Sequence, residues 1–234
     1  ELPGLHIEEN ATREYLGGEA FAHILGYTGK ISQQQYDAAP QHYLLNDEVG
    51  KDGLERSAEE MVRGTDGGQQ VEVDAHGREL RVVASEPPTA GRNVTLTIDA
   101  GLQQQAYALL QKTIQDNNAL GGAVAAVDPR NGAVLALVSA PSFDNNAFVR
   151  GMDTAAYQAL ASDSHEPLFN RAMTGQFPSG STIKPIIAAT ALTLGVISEK
   201  TTVLSTGGIT IGQWFFPDWK AGGHGVTDVR KALA

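Results

Sequence analysis

The stretch GAVAAVDPRNGAVLALVSAP, residues 122–141, decides the fold. Two runs of small and β-branched residues flank Asp128-Pro129-Arg130-Asn131-Gly132, a turn sequence with both a proline and an Asn-Gly step. The pattern predicts a β-hairpin. Because neither run alternates strongly with polar residues, both faces are expected to be covered by helices. One such helix is read just upstream in DAGLQQQAYALLQKTIQDNNA, where Asp99 is the N-cap and Leu102, Ala106, Leu109, Leu110 and Ile114 form the apolar face. A second is expected to start near Ser181. Helix, hairpin and helix together give an α+β layer sandwich.

Working outward, the first 90 residues are rich in glycine and charge and read as short strands and turns. Val71, Val73 and Ala75 alternate, the chain turns at His76-Gly77, and apolar residues resume at Leu80, Val82 and Val83, which predicts another hairpin. A brief helix is expected from Leu54 to Val62, ended by Gly64. SEPPTAGR, residues 85–92, breaks all periodicity and places a domain boundary, dividing the chain into 1–90 and 91–234. No internal repeat or low-complexity tract is present.

Composition excludes several functions. The 234 residues, 41% hydrophobic, suffice for one domain with a core or two modest ones. A net charge of −10 repels phosphate backbones, so nucleic acid is not an expected partner. The longest apolar stretch, Ile186 to Ile197, carries two threonines and falls short of the roughly 20 residues a bilayer span needs. With no cysteine, disulfides, thiolate zinc clusters and cysteine nucleophiles are excluded together. There is no Gly-x-Ser-x-Gly elbow and no Walker loop.

The chemistry concentrates in FPSGSTIKP, residues 177–185. Residues three apart on a helix share a face, so Ser181 and Lys184 are expected within hydrogen-bond reach. Pro185 is tolerated only in a first turn, which places Ser181 at the positive end of the helix. That field favours a developing alkoxide on Ser181, and burial against IIAATALTLGVI would favour a neutral Lys184 amine able to take the serine proton. The turn before the helix can hold backbone N–H groups near the reacting atom. The alternative for the same letters is that Ser181 or Thr182 caps a core helix while Lys184 faces solvent.

FPSGSTIKP resembles the first active-site motif of the penicillin-binding transpeptidases, aromatic-Pro-x-Gly-Ser-Thr-x-Lys-Pro. NVTLTIDAGLQQQA, GAVAAVDPRNGAVLALVSAPSFDNNAF and NRAMTGQFPSGSTIKP follow in the order of class B members. Upstream, REYLGGEAFAHILGYTGKIS and VGKDGLERSAEEMVRG resemble the pedestal of that class. DWKAGGHGVTDVRKALA is similar to the elongation-type branch, penicillin-binding protein 2. The resemblance implies the serine β-lactamase-like helix and antiparallel-sheet sandwich, present as its N-terminal part over 91–234, after a partial, mostly β, dimerisation-type pedestal over 1–90. It implies a D,D-transpeptidase that cross-links peptidoglycan stem peptides through Ser181, with Lys184 as general base, the Ser181 N–H as an oxyanion donor, and β-lactams acylating the same serine. No cofactor is implied. The implied partner is a polytopic glycan polymerase of the elongation machinery, and the implied location is the outer, periplasmic side of the bacterial inner membrane, with an anchor upstream of Glu1.

The family's second and third motifs, Ser-x-Asn and Lys-Ser/Thr-Gly, occur nowhere in these residues, so the chain is expected to stop short of them at Ala234 and to have little activity alone. Asp218 and His224 match two positions that some relatives use for a structural zinc, but two ligands do not make a site, and a hydrogen-bonded loop is expected there instead. His23, His42 and His165 stand without spaced carboxylates and read as structural or exposed. Asn170 and Arg171 fit packing as well as substrate contact. Asp144 and Asn145 are expected in a turn. The competing functional readings are a non-catalytic envelope binding module, in which the Ser181 helix is scaffold, and a β-lactam sensor or β-lactamase, against which the first 90 residues argue.

Overall fold

A computed structural model describes residues 12–234, which divide into two compact units, 12–175 and 176–234. In the first, α1 (Glu19–Leu25), β1 (Thr28–Lys30), α2 (Gln33–Ala38), β2 (Glu48–Gly50), α3 (Gly53–Ser57) and α4 (Glu59–Val62) precede a hairpin of β3 (Gly68–Val73) and β4 (Glu79–Glu86). Then come α5 (Ala100–Asp116), the hairpin of β5 (Gly122–Val127) and β6 (Val134–Ala140), and three short helices, α6 (Asn145–Val149), α7 (Thr154–Ala161) and α8 (Arg171–Thr174). The described part of the first 90 residues thus holds four short helices beside its four strands, where the sequence suggested strands and turns with one brief helix. The helix expected over 54–62 is two: Ala58, at φ −109° and ψ 10°, leaves helical geometry between α3 and α4.

Both expected hairpins form. β3 pairs antiparallel with β4, and Asp74 ties the turn by accepting from the backbone N–H groups of His76 and Arg78. β5 pairs with β6 so that Val124 faces Val138 and Gly122 faces Ala140. On that face α5 packs, and Tyr107, Val138 and Ala140 form the buried centre with Leu110, Ile114 and Val124 around it. Asp99 caps α5 by accepting from Leu102 N at 2.8 Å.

Two details depart from the sequence reading. The buried stripe of α5 runs through Gln103 and Tyr107, while Leu102 and Leu109 are exposed. Gln103 can be buried because its amide is satisfied: Nε2 donates to Ala20 O and Leu137 O, and Oε1 accepts from Leu137 N. The second face of the β5–β6 hairpin is only partly covered. Ser139 there accepts from Arg171 N at 2.9 Å, but Ala123 and Ala125 are exposed.

The segment 165–174 is held by Arg171, which is 8% exposed. Its guanidinium donates to His165 O at 2.6 Å and Glu166 O at 2.9 Å. Gly121 makes room for it, since a Cβ there would lie 2.5 Å from Arg171 Nε. Asp144 and Asn145 do more than turn the chain: Asp144 caps α6 through Asn146 N, and Asn145 is fully buried with its amide donating to Gly26 O.

In the second unit a 3₁₀ turn (Gly180–Ile183) leads into α9 (Lys184–Thr193). β7 (Thr202–Ser205), a hairpin of β8 (Gly208–Ile211) and β9 (Trp214–Pro217), β10 (Gly225–Asp228) and α10 (Val229–Leu233) follow. β10 pairs antiparallel with β7, bringing Gly225 opposite Ser205. Asp228 caps α10 by accepting from Lys231 N.

Candidate active site

Pro185 shapes the turn that carries Ser181. An α-helical bond to the Ser181 carbonyl would have to come from the N–H of residue 185, which proline lacks. Lys184 N donates to Ser181 O instead, three residues back, and the chain enters α9 through a 3₁₀ turn. Gly180, at φ +54°, occupies the left-handed region that a side chain would oppose, so the glycine before the serine is a backbone requirement. Ser181 therefore sits one turn ahead of α9 rather than in its first α-helical turn.

Ser181 and Lys184 line one open cavity of about 960 Å³, together with Ala188, Asp218, His224 and Lys231 among others. Neither Ser181 nor Thr182 caps a helix N–H; Thr182 Oγ1 donates to Ser179 O and Thr190 Oγ1 to Ile186 O. The hydrogen bond that the three-residue spacing allows between Ser181 and Lys184 is not among those formed. Lys184 is exposed rather than buried. The helix around it is exposed as well: α9 has no buried residue, and Ile186 is 63% exposed.

Asp218 and His224 do lie together, their side chains 3.8 Å apart. Ser205 joins them, donating to Asp218 Oδ2 at 3.3 Å and accepting from His224 N at 3.1 Å. The Lys220 N–H first, with the Ser205 hydroxyl and His224, holds the Asp218 carboxyl below the usual carboxylate range. Among the described residues no group of three or more His, Cys, Asp or Glu side chains is placed to hold a metal ion. Sequence reasoning did not find Ser205 or Lys231. Lys231 Nζ donates to His224 O and Val226 O, which fastens α10 to this loop, and no motif announces either role.

The remaining candidates are structural. His23 is buried with its ring edge on Phe143 at 5.2 Å, His42 is exposed, and His165 is exposed beside Asp163. Asn170 caps α8 and donates to His23 O.

An α+β chain with a serine three residues before a lysine beside a cavity defines a class, and comparison with known proteins agrees on which. The Penicillin-binding Protein dimerisation domain matches residues 1–96, and the Penicillin binding protein transpeptidase domain matches residues 122–234. The peptidoglycan D,D-transpeptidase MrdA of Haemophilus influenzae is 38% identical over all of this chain and 36% of its own length. Penicillin-binding protein 2 of Helicobacter pylori, solved in complex with MreC, has TM-score 0.79 at 30% identity, covering 94% of this chain and 40% of that one. Penicillin-binding protein 2 of Pseudomonas aeruginosa, solved with WCK 5153, has TM-score 0.74 at 32% identity, covering 94% and 44%. The chain belongs to the class B penicillin-binding proteins, in the elongation-type branch of penicillin-binding protein 2. It spans about 36% of the length of the first of these relatives.

Proposed function

We propose that this chain is part of a peptidoglycan D,D-transpeptidase whose nucleophile is Ser181 and whose general base is Lys184. Ser181 Oγ attacks the penultimate D-Ala carbonyl of a stem peptide while its proton passes to Lys184 Nζ. The Ser181 N–H donates to the developing oxyanion. The terminal D-Ala leaves as an amine, taking that proton. The amine of a neighbouring stem peptide then attacks the ester, and Ser181 recovers a proton from it. A β-lactam enters at the first step and stops as the acyl-enzyme.

The observation that carries this reading is that Ser181 and Lys184, one turn apart, line the same cavity. The relatives' name, peptidoglycan D,D-transpeptidase, supports it. In this reading residues 1–90 are the pedestal and 91–234 the first part of the transpeptidase domain, on the outer face of the inner membrane. Because a Helicobacter pylori relative is solved with MreC, we read the pedestal as the surface for an envelope partner of that kind. A polytopic glycan polymerase is the second partner we propose.

The test is covalent labelling of the full-length protein by a fluorescent penicillin, with Ser181→Ala and Lys184→Ala beside it. Wild type is expected to label, Ser181→Ala not at all, and Lys184→Ala at least about a hundredfold more slowly, the range of a lost general base. Labelling that survives Ser181→Ala refutes the assignment.

A further inference from the structure

Five polar side chains from the stretch after Asp99 grip the segment Tyr15–Gly26. Asn146 pairs with Tyr15 as a strand would, Oδ1 accepting from Tyr15 N and Nδ2 donating to Tyr15 O, each at 2.9 Å. Gln103 donates to Ala20 O at 2.6 Å, Asn170 to His23 O at 3.2 Å and Asn145 to Gly26 O at 3.0 Å. Tyr107 donates its hydroxyl to Glu19 at 2.8 Å. These contacts matter because α1 has seven residues, too few to persist on its own. A helix end leaves carbonyls without partners, and here amides from α6 and from the start of α8 supply them. Gln103 also holds both backbone groups of Leu137, so one side chain ties α1, α5 and β6 together.

The other flank of α1 meets α3. The backbones of Gly26 and Gly53 approach so closely that a Cβ on Gly53 would lie 2.6 Å from Gly26 N and 2.7 Å from Ile24 O. Lys51 N donates to Tyr27 O at 2.9 Å.

We infer that Tyr15–Gly26 is a joint: it folds and opens with the 99–175 body, although it precedes the pedestal strands in the chain, and it meets α3 of the pedestal at the Gly26–Gly53 contact. The grips read main chain more than side chains, so the joint depends on Gln103, Asn145, Asn146 and Asn170. The inference stands on packing and does not depend on the catalytic reading.

Hydrogen exchange followed by mass spectrometry on the full-length protein tests it. Across a denaturant series the α1 amides are expected to open together with α5 and β6, while β1 and β2 open at lower denaturant. Gly53→Ala is expected to lower protection in β1 and β2 by about tenfold or more, with any loss in α1 confined to its last turn at Ile24 and Gly26, where the new Cβ lands. Asn146→Ala combined with Asn170→Ser, which keeps a capping oxygen for α8, is expected to lower α1 protection by a similar factor. The inference is overturned if α1 opens with β1 and β2 while α5 and β6 stay protected. Should Gly53→Ala fail to fold, the wild-type series decides alone.

Discussion

Burial pushes the His23 imidazole below its ordinary value of 6.5, against an opposing pull from the carbonyls of Pro141 and Pro167 and from Asp52. The folded state therefore holds His23 neutral where the unfolded chain is already taking up a proton. Stability from this residue is complete above the unfolded value and is lost as pH falls below it toward the folded value. Denaturant midpoints measured at about pH 7.5 and about pH 5.5 are expected to fall with pH, and a His23→Phe variant to lose part of that slope. An unchanged slope contradicts the assignment. Arg171 makes a second test at this scale. Truncation to alanine leaves the carbonyls of His165 and Glu166 without donors and is expected to cost about 3 kcal/mol in a denaturation experiment, with Arg171→Lys in between. From sequence, His23 read as structural or exposed and Arg171 fitted packing as well as substrate contact, because burial comes from chain segments far apart: His23 O meets Asn170, 147 residues on.

At the scale of elements, the sequence was most legible where local chemistry sets the outcome. Asp99, the His76-Gly77 turn and the Asp128–Gly132 turn all act on their own neighbours, and the elements they bound formed where expected; Pro185 does stand in the first turn of α9, but a 3₁₀ turn carries Ser181 ahead of it. It was least legible where burial is decided at a distance. The α5 stripe through Gln103 follows from carbonyls on α1 and β6, which no period in the helix reveals, and the break at Ala58 has no breaker residue to mark it. Asp99→Ala is expected to destabilise the first unit by about 1 kcal/mol through the lost cap, read from the chemical denaturation midpoint. Gly180→Ala puts a side chain at φ +54° and is expected to cost about 1–2 kcal/mol of backbone strain. If the turn positions Ser181, that variant labels with penicillin more slowly while its far-UV spectrum is unchanged; an unaltered labelling rate would show that the turn is not limiting.

Across the whole molecule, Ser181 and Lys184 were named from sequence, and they line one cavity, but the setting differs from the one expected. α9 is exposed, and the apolar surface meant to bury Lys184 faces solvent: Ile187 is 59% exposed and Val196 74%. The chemistry proposed for the pair needs that surface covered, since excluding water is what makes a neutral amine and an oxyanion donor effective. The 234-residue chain by itself is therefore expected to label at least about a hundredfold more slowly than the full-length protein, the size of effect that a missing base or oxyanion donor produces. Parallel gel labelling of the two forms measures this, and equal rates would show that the residues present are enough. The most direct test of the central claim is to acylate the full-length protein with benzylpenicillin, digest it, and locate the adduct by mass spectrometry. The account predicts a single modified peptide with the penicilloyl group on Ser181; an adduct on any other serine, or none on a folded protein, contradicts it.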